Sequence, residues 1–254
     1  MDSENFFVTA EGLFLEGEYE KALYYFKKSN EISETIECLN YIGCCYIWLN
    51  DLESAEKIFC RILETNSSWE RPVFNLGRVY LKLGNLNEAL QCFEKALNIN
   101  SNEDDINYYM GVVYYKLDKY EKAKEFYQKS INLNGKQSEA HLNLGMCYLR
   151  LKNYEKALEE FNNAYVNDND CLDAIYNKGI ALISMSRYNE ALDNLLILLN
   201  RNPNDIEAMM DIAHCYYKIS DTVNANVWVS KVLAIEPQHN LANKLLKRLT
   251  SLMT

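Results

Sequence analysis

Eight cysteines and three histidines are the side chains of this 254-residue sequence best suited to metal ligation or nucleophilic attack. The cysteines are Cys38, Cys44, Cys45, Cys60, Cys92, Cys147, Cys171 and Cys215, and none forms a C-x-x-C pair. His141, His214 and His239 have no ligand spacing among themselves, so no structural zinc, other metal or cofactor is expected. Neither a nucleophile elbow, a phosphate-cradling glycine loop nor an H-E-x-x-H pattern occurs. No catalytic residue is assigned, and the sequence reads as that of a non-enzyme.

Binding chemistry is better represented. Asn75, Asn143 and Asn177 are separated by multiples of 34 residues, with Tyr41, Tyr109 and Asp211 in the same register. A carboxamide both donates and accepts, so an inward asparagine can pair with the N–H and C=O of an extended peptide. One residue earlier stand Phe7, Phe74, Tyr108, Leu142, Tyr176 and Met210, and Tyr115 lies in a second apolar register. Aromatic anchors of this kind commonly dominate interface energy. Glu4, Glu37, Asp105, Glu139, Asp173 and Glu207 recur near one end of the same segments, and Lys82, Lys116, Arg150 and Lys218 near the other. The helix macrodipole favours that polarity without any ligand, yet it would give a bound peptide an acidic rim and a basic one.

These registers belong to a repeat. Ala22, Ala55, Ala89, Ala123, Ala157, Ala191 and Ala225 are spaced by 33 and then five times by 34 residues. Gly43, Gly77, Gly111, Gly145 and Gly179 hold the same beat, with Ala10 and Ala213 at its ends. Tyr46, Tyr80, Tyr114, Tyr148 and Tyr216 follow three residues later. Phe26, Phe59, Phe93, Tyr127, Phe161, Leu195 and Val229 follow each alanine by four. Within a repeat, apolar residues at three-to-four spacing mark two amphipathic helices. Connections as short as Gly84-Asn85 or Lys152-Asn153 force the two to run antiparallel. The small columns admit close helix approach, and the tyrosine and phenylalanine columns are expected to fill the space between successive pairs. Cys45, Cys147 and Cys215 share a column with Val79, Val113 and Ala181, as buried thiols would. Cys44 is placed instead on the inner surface.

The sequence resembles tetratricopeptide repeats, with L-G-x-x-Y in the first helix and A-x-x-x-F in the second. Leu76-Gly77-Arg78-Val79-Tyr80 with Ala89 to Phe93, and Leu144-Gly145-Met146-Cys147-Tyr148 with Ala157 to Phe161, carry the likeness best. The resemblance implies an all-α, right-handed superhelical solenoid of antiparallel helix pairs, its first helices lining a concave face. A single solenoid over 1–254 is expected, with repeats 3–35, 36–69, 70–103, 104–137, 138–171, 172–205 and 206–239. Leu241, Leu245, Leu246, Leu249 and Leu252, interleaved with Lys244, Lys247 and Arg248, give an amphipathic capping helix over 240–254. The family's carboxylate clamp for chain termini is not matched: Phe74 and Arg78, then Asp173 and Asn177, stand where it needs lysine, asparagine and cations.

Composition agrees with helices. Gly 9 and Pro 3 make about 5% of the chain, against roughly 12% in an average protein. A formal net charge of −10 without a basic run disfavours nucleic acid and anionic membranes as partners. The acidic amino terminus is unlike a secretory signal, so a cytoplasmic location is expected. The resulting expectation is a monomeric adaptor. It would hold an extended peptide or one helix of a protein partner through Asn75, Tyr108, Tyr109, Tyr115, Asn143, Tyr176, Asn177, Lys82, Lys116 and Arg150. The asparagines would act as the ladder some family members use to hold peptides. The alternative is a self-assembling scaffold, a homo-oligomer without a dedicated peptide ligand.

Overall fold

The structure, a computed structural model, describes the backbone of residues 2–253 and the side chains of 2–251. The side chain of Leu252, and Thr254 at the end of the expected capping segment, lie outside the described residues. Every regular element among them is an α-helix. The chain divides into two compact units, Met1–Leu133 and Asn134–Thr254.

In the first unit α1 (Ser3–Leu15) pairs with α2 (Tyr19–Ile32) and α3 (Ile36–Trp48) with α4 (Leu52–Thr65). Then α5 (Glu70–Leu83) pairs with α6 (Leu86–Ile99), and α7 (Asp104–Lys116) with α8 (Tyr120–Leu133). In the second unit α9 (Ser138–Arg150) pairs with α10 (Tyr154–Asn167), α11 (Leu172–Ser184) with α12 (Tyr188–Arg201), and α13 (Ile206–Lys218) with α14 (Thr222–Ile235). The last helix, α15 (Asn240–Met253), packs on α14. Leu245 and Leu249 of α15 are buried in that core while Leu241 is exposed, the division expected of a cap.

The repeated residues explain the pairing. A Cβ on Gly43 would lie 2.6 Å from the Phe59 ring, and one on Gly111 or Gly145 equally close to Tyr127 or Phe161. The large residue four after each alanine is therefore seated on the glycine of its own helix pair, fully buried. The column also reaches into the space between pairs, as expected: Phe26 on α2 stacks on Tyr41 of α3 with ring centroids 4.9 Å apart, and Phe93 on α6 stacks on Tyr109 of α7 at 5.9 Å. The tyrosine column does part of that task, since Tyr80 on α5 donates its hydroxyl to Glu56 on α4 at 3.0 Å.

Turns between paired helices need one left-handed residue. Gly17 and Gly84 supply it at φ 80° and 82°, but Asn50, Asp118, Lys152, Ser186 and Ser220 take φ between 56° and 65° without glycine. Each costs about 1 kcal/mol and is held because the next N–H bonds back into the first helix, as Asn153 does to Tyr148 O at 2.8 Å. This is how a chain with so little glycine still turns so often.

Candidate functional site

A cavity of about 600 Å³ opens on the first unit, lined by residues of α1, α3, α5 and α7 and the residue just ahead of α7. These are the first helices of four successive pairs. Its aromatic wall comprises Phe14, Tyr41, Trp48 and Phe74; its charged groups are Arg71, Arg78, Glu11, Glu70, Glu103 and Asp105.

Packing explains why the cavity opens here. In the register of Phe7, Phe74, Tyr108, Leu142, Tyr176 and Met210, the α3 position is Asn40. A large apolar residue there would occupy the space; the shorter carboxamide leaves it open and lines it. Asn40 is only 6% exposed. Its carbonyl oxygen accepts from Asn75 Nδ2 at 3.2 Å, and that same amide nitrogen contacts Cys44 Sγ at 3.3 Å. Arg78 donates to Asn75 Oδ1 at 3.2 Å, with its guanidinium 5.5 Å from the Tyr109 ring centroid and 5.9 Å from that of Phe74. The arginine is thus held by stacking and one hydrogen bond, with no carboxylate within ion-pair distance among the described residues. Burial and then the neighbouring Glu103 push the Glu70 carboxyl above the usual range, with Arg71 opposing. Burial raises the Cys44 thiol to about 11, so it is not a ready nucleophile.

The expected peptide contacts are dispersed by this arrangement. Asn75 lines the cavity, but both its polar atoms are already engaged. Tyr109 packs against Phe74 and Phe93, Tyr108 against Tyr127, and Tyr115 against Tyr120. Tyr109 fills the junction with the preceding pair, whereas Tyr108 and Tyr115 pack within their own pair, and none of the three lines the cavity. Lys82 and Lys116 are exposed in the last turns of α5 and α7. In the second unit, Asn143 is half-buried on α9 and Arg150 exposed at its end. Asn177 donates to the Asp173 carbonyl of its own helix at 2.8 Å. Tyr176 donates to Asp211 Oδ2 at 3.1 Å. The asparagine register is therefore not a row of free carboxamides.

Sequence reasoning missed Asn40, Arg71 and Trp48 as site residues, and noted Arg78 only as a mismatch. The available signal was departure from a column: Asn40 among large apolar residues and, less cleanly, Arg78 beside Val112, Met146 and Ile180 in a column that also holds Glu11 and His214. Cys44, placed on the inner surface from its column, does line the cavity.

Asp211 and His214 lie one turn apart on α13. Burial and the nearby Glu207 and Asp205 raise the Asp211 carboxyl to about 6, against the pull of the Tyr176 hydrogen bond. Burial, then Lys218, lowers His214. Asp211 takes its hydrogen bond from Tyr176, and burial alone accounts for the sign of both shifts. No helix among the described residues is long and apolar enough to cross a membrane.

The sequence profile of the anaphase-promoting complex, cyclosome, subunit 3 family matches residues 48–130 and again 82–164. The two matches are offset by 34 residues, the repeat length. Among solved structures, the APC/C hetero-tetramer Cut9–Hcn1 aligns with TM-score 0.74 and 20% identity over 94% of this chain and 48% of that one. This chain therefore spans about half the length of that relative. PilF of Pseudomonas aeruginosa aligns with TM-score 0.73 and 16% identity over 84% of this chain and 97% of that one. YrrB, a TPR protein with an unusual peptide-binding site, aligns with TM-score 0.67 and 23% identity over 74% and 97%. At these identities the likeness is one of fold. No curated protein matched the sequence.

Proposed function

The chain is a tetratricopeptide repeat protein, built on a fold that serves as a protein-interaction scaffold, and from that premise we propose that it is a non-catalytic adaptor. Its binding site is the cavity on the first unit, which takes an extended segment of a partner protein. The observation that carries this reading is the opening at Asn40, where one small polar residue interrupts a register of large apolar ones and leaves about 600 Å³ between aromatic and charged side chains. A cavity of that size is in the range used for specific recognition, and its polar groups sit on helices rather than loops, which keeps them ordered before binding.

The test is affinity capture from the native lysate with quantitative mass spectrometry. Wild type is compared with Asn40→Phe, which restores the bulk of the register, and with Asn143→Ala/Asn177→Ala in the second unit. Partners should be lost from the first variant and kept by the second, with helicity by circular dichroism unchanged in both. Retention of all partners by Asn40→Phe would remove the cavity from the function.

A further inference from the structure

The chemistry of the cavity narrows its ligand. Asn40 is more than nine-tenths buried, and its carbonyl oxygen is satisfied by Asn75. Its amide nitrogen has no partner among the described residues, and the residue lines the cavity. That nitrogen is not closed off from solvent, so an acceptor bound in the cavity would replace water on it. On the adjacent helix Arg78 supplies further N–H groups. Its orientation is fixed by Asn75 and by the rings of Phe74 and Tyr109. Donors immobilised before binding lose little entropy when a ligand arrives. Asn40 and Arg78 therefore present donors to one space, and a carboxylate is the acceptor that best matches a guanidinium fork.

Next to these donors lies an apolar shelf. Trp48 is 52% exposed and Leu15 86% exposed, with Phe14 also on the cavity wall. Trp48 is stacked flat on Tyr19 at 5.1 Å, which holds its ring in place as a platform. At the starts of α5 and α7, Glu70, Glu103 and Asp105 form an acidic edge, and Glu11 lies on α1. Burial and mutual repulsion already disfavour the charge on Glu70. A run of acidic residues would meet that edge and be repelled; a single acidic residue seated on Arg78 would not need to approach it.

We propose that the cavity recognises an extended peptide through one internal aspartate or glutamate side chain, held by Arg78 and Asn40, with an adjoining aromatic or large aliphatic residue on the Phe14–Leu15–Trp48 shelf. This rests on the reading of the cavity as the partner site. Arg71, on the same helix two turns before Arg78 and also without an ion pair among the described residues, adds long-range attraction but no fixed contact.

The test uses the full chain and a synthetic array of random dodecapeptides with amidated C-termini, probed with wild type, Arg78→Gln and Asn40→Phe. Wild type should enrich peptides with one acidic residue beside an aromatic or large aliphatic one. Asn40→Phe should bind none of them. For the best peptide, changing its acid to the matching amide should weaken wild-type binding by at least about tenfold, and Arg78→Gln should no longer distinguish the two peptides. The peptide substitution reads the same contact on unaltered protein, so a folding defect in Arg78→Gln leaves the test intact. Enrichment of basic, uncharged or poly-acidic peptides that Asn40→Phe loses would overturn the acidic-residue assignment while sustaining the cavity as the site. Binding only to a parallel array with free C-terminal carboxylates would overturn it in favour of a chain terminus. Enrichment of no peptide, or of peptides that Asn40→Phe still binds, would overturn both the assignment and the reading beneath it.

Discussion

Asp211 on α13 occupies the register that holds asparagine at positions 75, 143 and 177. Asp211→Asn should therefore stabilise the protein at neutral pH. Burial raises the carboxyl from 3.8 to about 6, with Glu207 and Asp205 adding repulsion. A group that holds its proton more tightly in the folded than in the unfolded chain contributes stability at low pH. That contribution is whole below about 3.8 and fades as pH rises through about 6. The shift corresponds to about 3 kcal/mol; because the side chain keeps some contact with water, about 2 kcal/mol is the better expectation. An asparagine oxygen can still accept the Tyr176 hydroxyl, which lies 3.1 Å from the carboxylate, so the hydrogen bond survives and the buried charge does not. Urea unfolding followed by circular dichroism between pH 3.5 and 7.5 measures this. The variant should exceed wild type by about 2 kcal/mol at pH 7 and converge with it near pH 3.5. Tyr176→Phe should carry the wild-type loss of stability to higher pH, since that hydrogen bond holds the Asp211 carboxyl down. Equal stability of Asp211→Asn and wild type at pH 7, or an unchanged slope from pH 4 to 6, would refute the reasoning.

Two further perturbations address the second unit. A Cβ on Gly145 would meet the Phe161 ring at 2.6 Å, so Gly145→Ala should cost about 1–3 kcal/mol through overpacking, offset by about 1 kcal/mol of helix propensity. The seventh repeat pairs Ala213 with Val229 at the equivalent positions. Gly145→Ala/Phe161→Val should accordingly be more stable than the sum of the single variants, by at least about 1 kcal/mol in a double-mutant cycle. His141 Nδ1 lies 2.7 Å from Glu160 Oε2, and this hydrogen bond raises the histidine above its ordinary value, against burial. The pair's contribution is full below the unfolded histidine value of about 6.5 and fades as pH rises through the higher folded one. His141→Gln should abolish that loss while leaving the slope from Asp211 between pH 4 and 6 in place; persistence of the loss above pH 6.5 in the variant would reject the pairing.

The helix pairs were legible in the sequence because they follow from columns. Gly77 facing Phe93 is a steric requirement repeated down the chain, and a requirement met many times in phase stands out without coordinates. The left-handed turns were not legible in the same way. Lys152 and Ser186 adopt φ near 60° although neither favours it, because the helices on either side determine the turn. Site residues drawn from recurring columns fared differently. Tyr109 and Asn75 are occupied by the packing of one pair on another, and Tyr108 by packing on Tyr127 within its own pair.

A repeated structure uses its regular residues to hold itself together, so a residue free to bind something else should depart from the pattern. Asn40 meets that criterion in volume, polarity and an unpaired donor. Arg78 meets it in part, standing where three later repeats place Val112, Met146 and Ile180, while the first and seventh place Glu11 and His214. The two departures occur on neighbouring helices and line the same space. Each offers hydrogen-bond donors to that space: a carboxamide nitrogen without a partner in one case and a guanidinium without an ion pair in the other, among the described residues. One acidic group from outside would engage both. Asn40→Phe consequently separates folding from recognition, since the apolar contact it restores offsets the lost acceptor for Asn75 Nδ2 while it closes the space in which the partner sits.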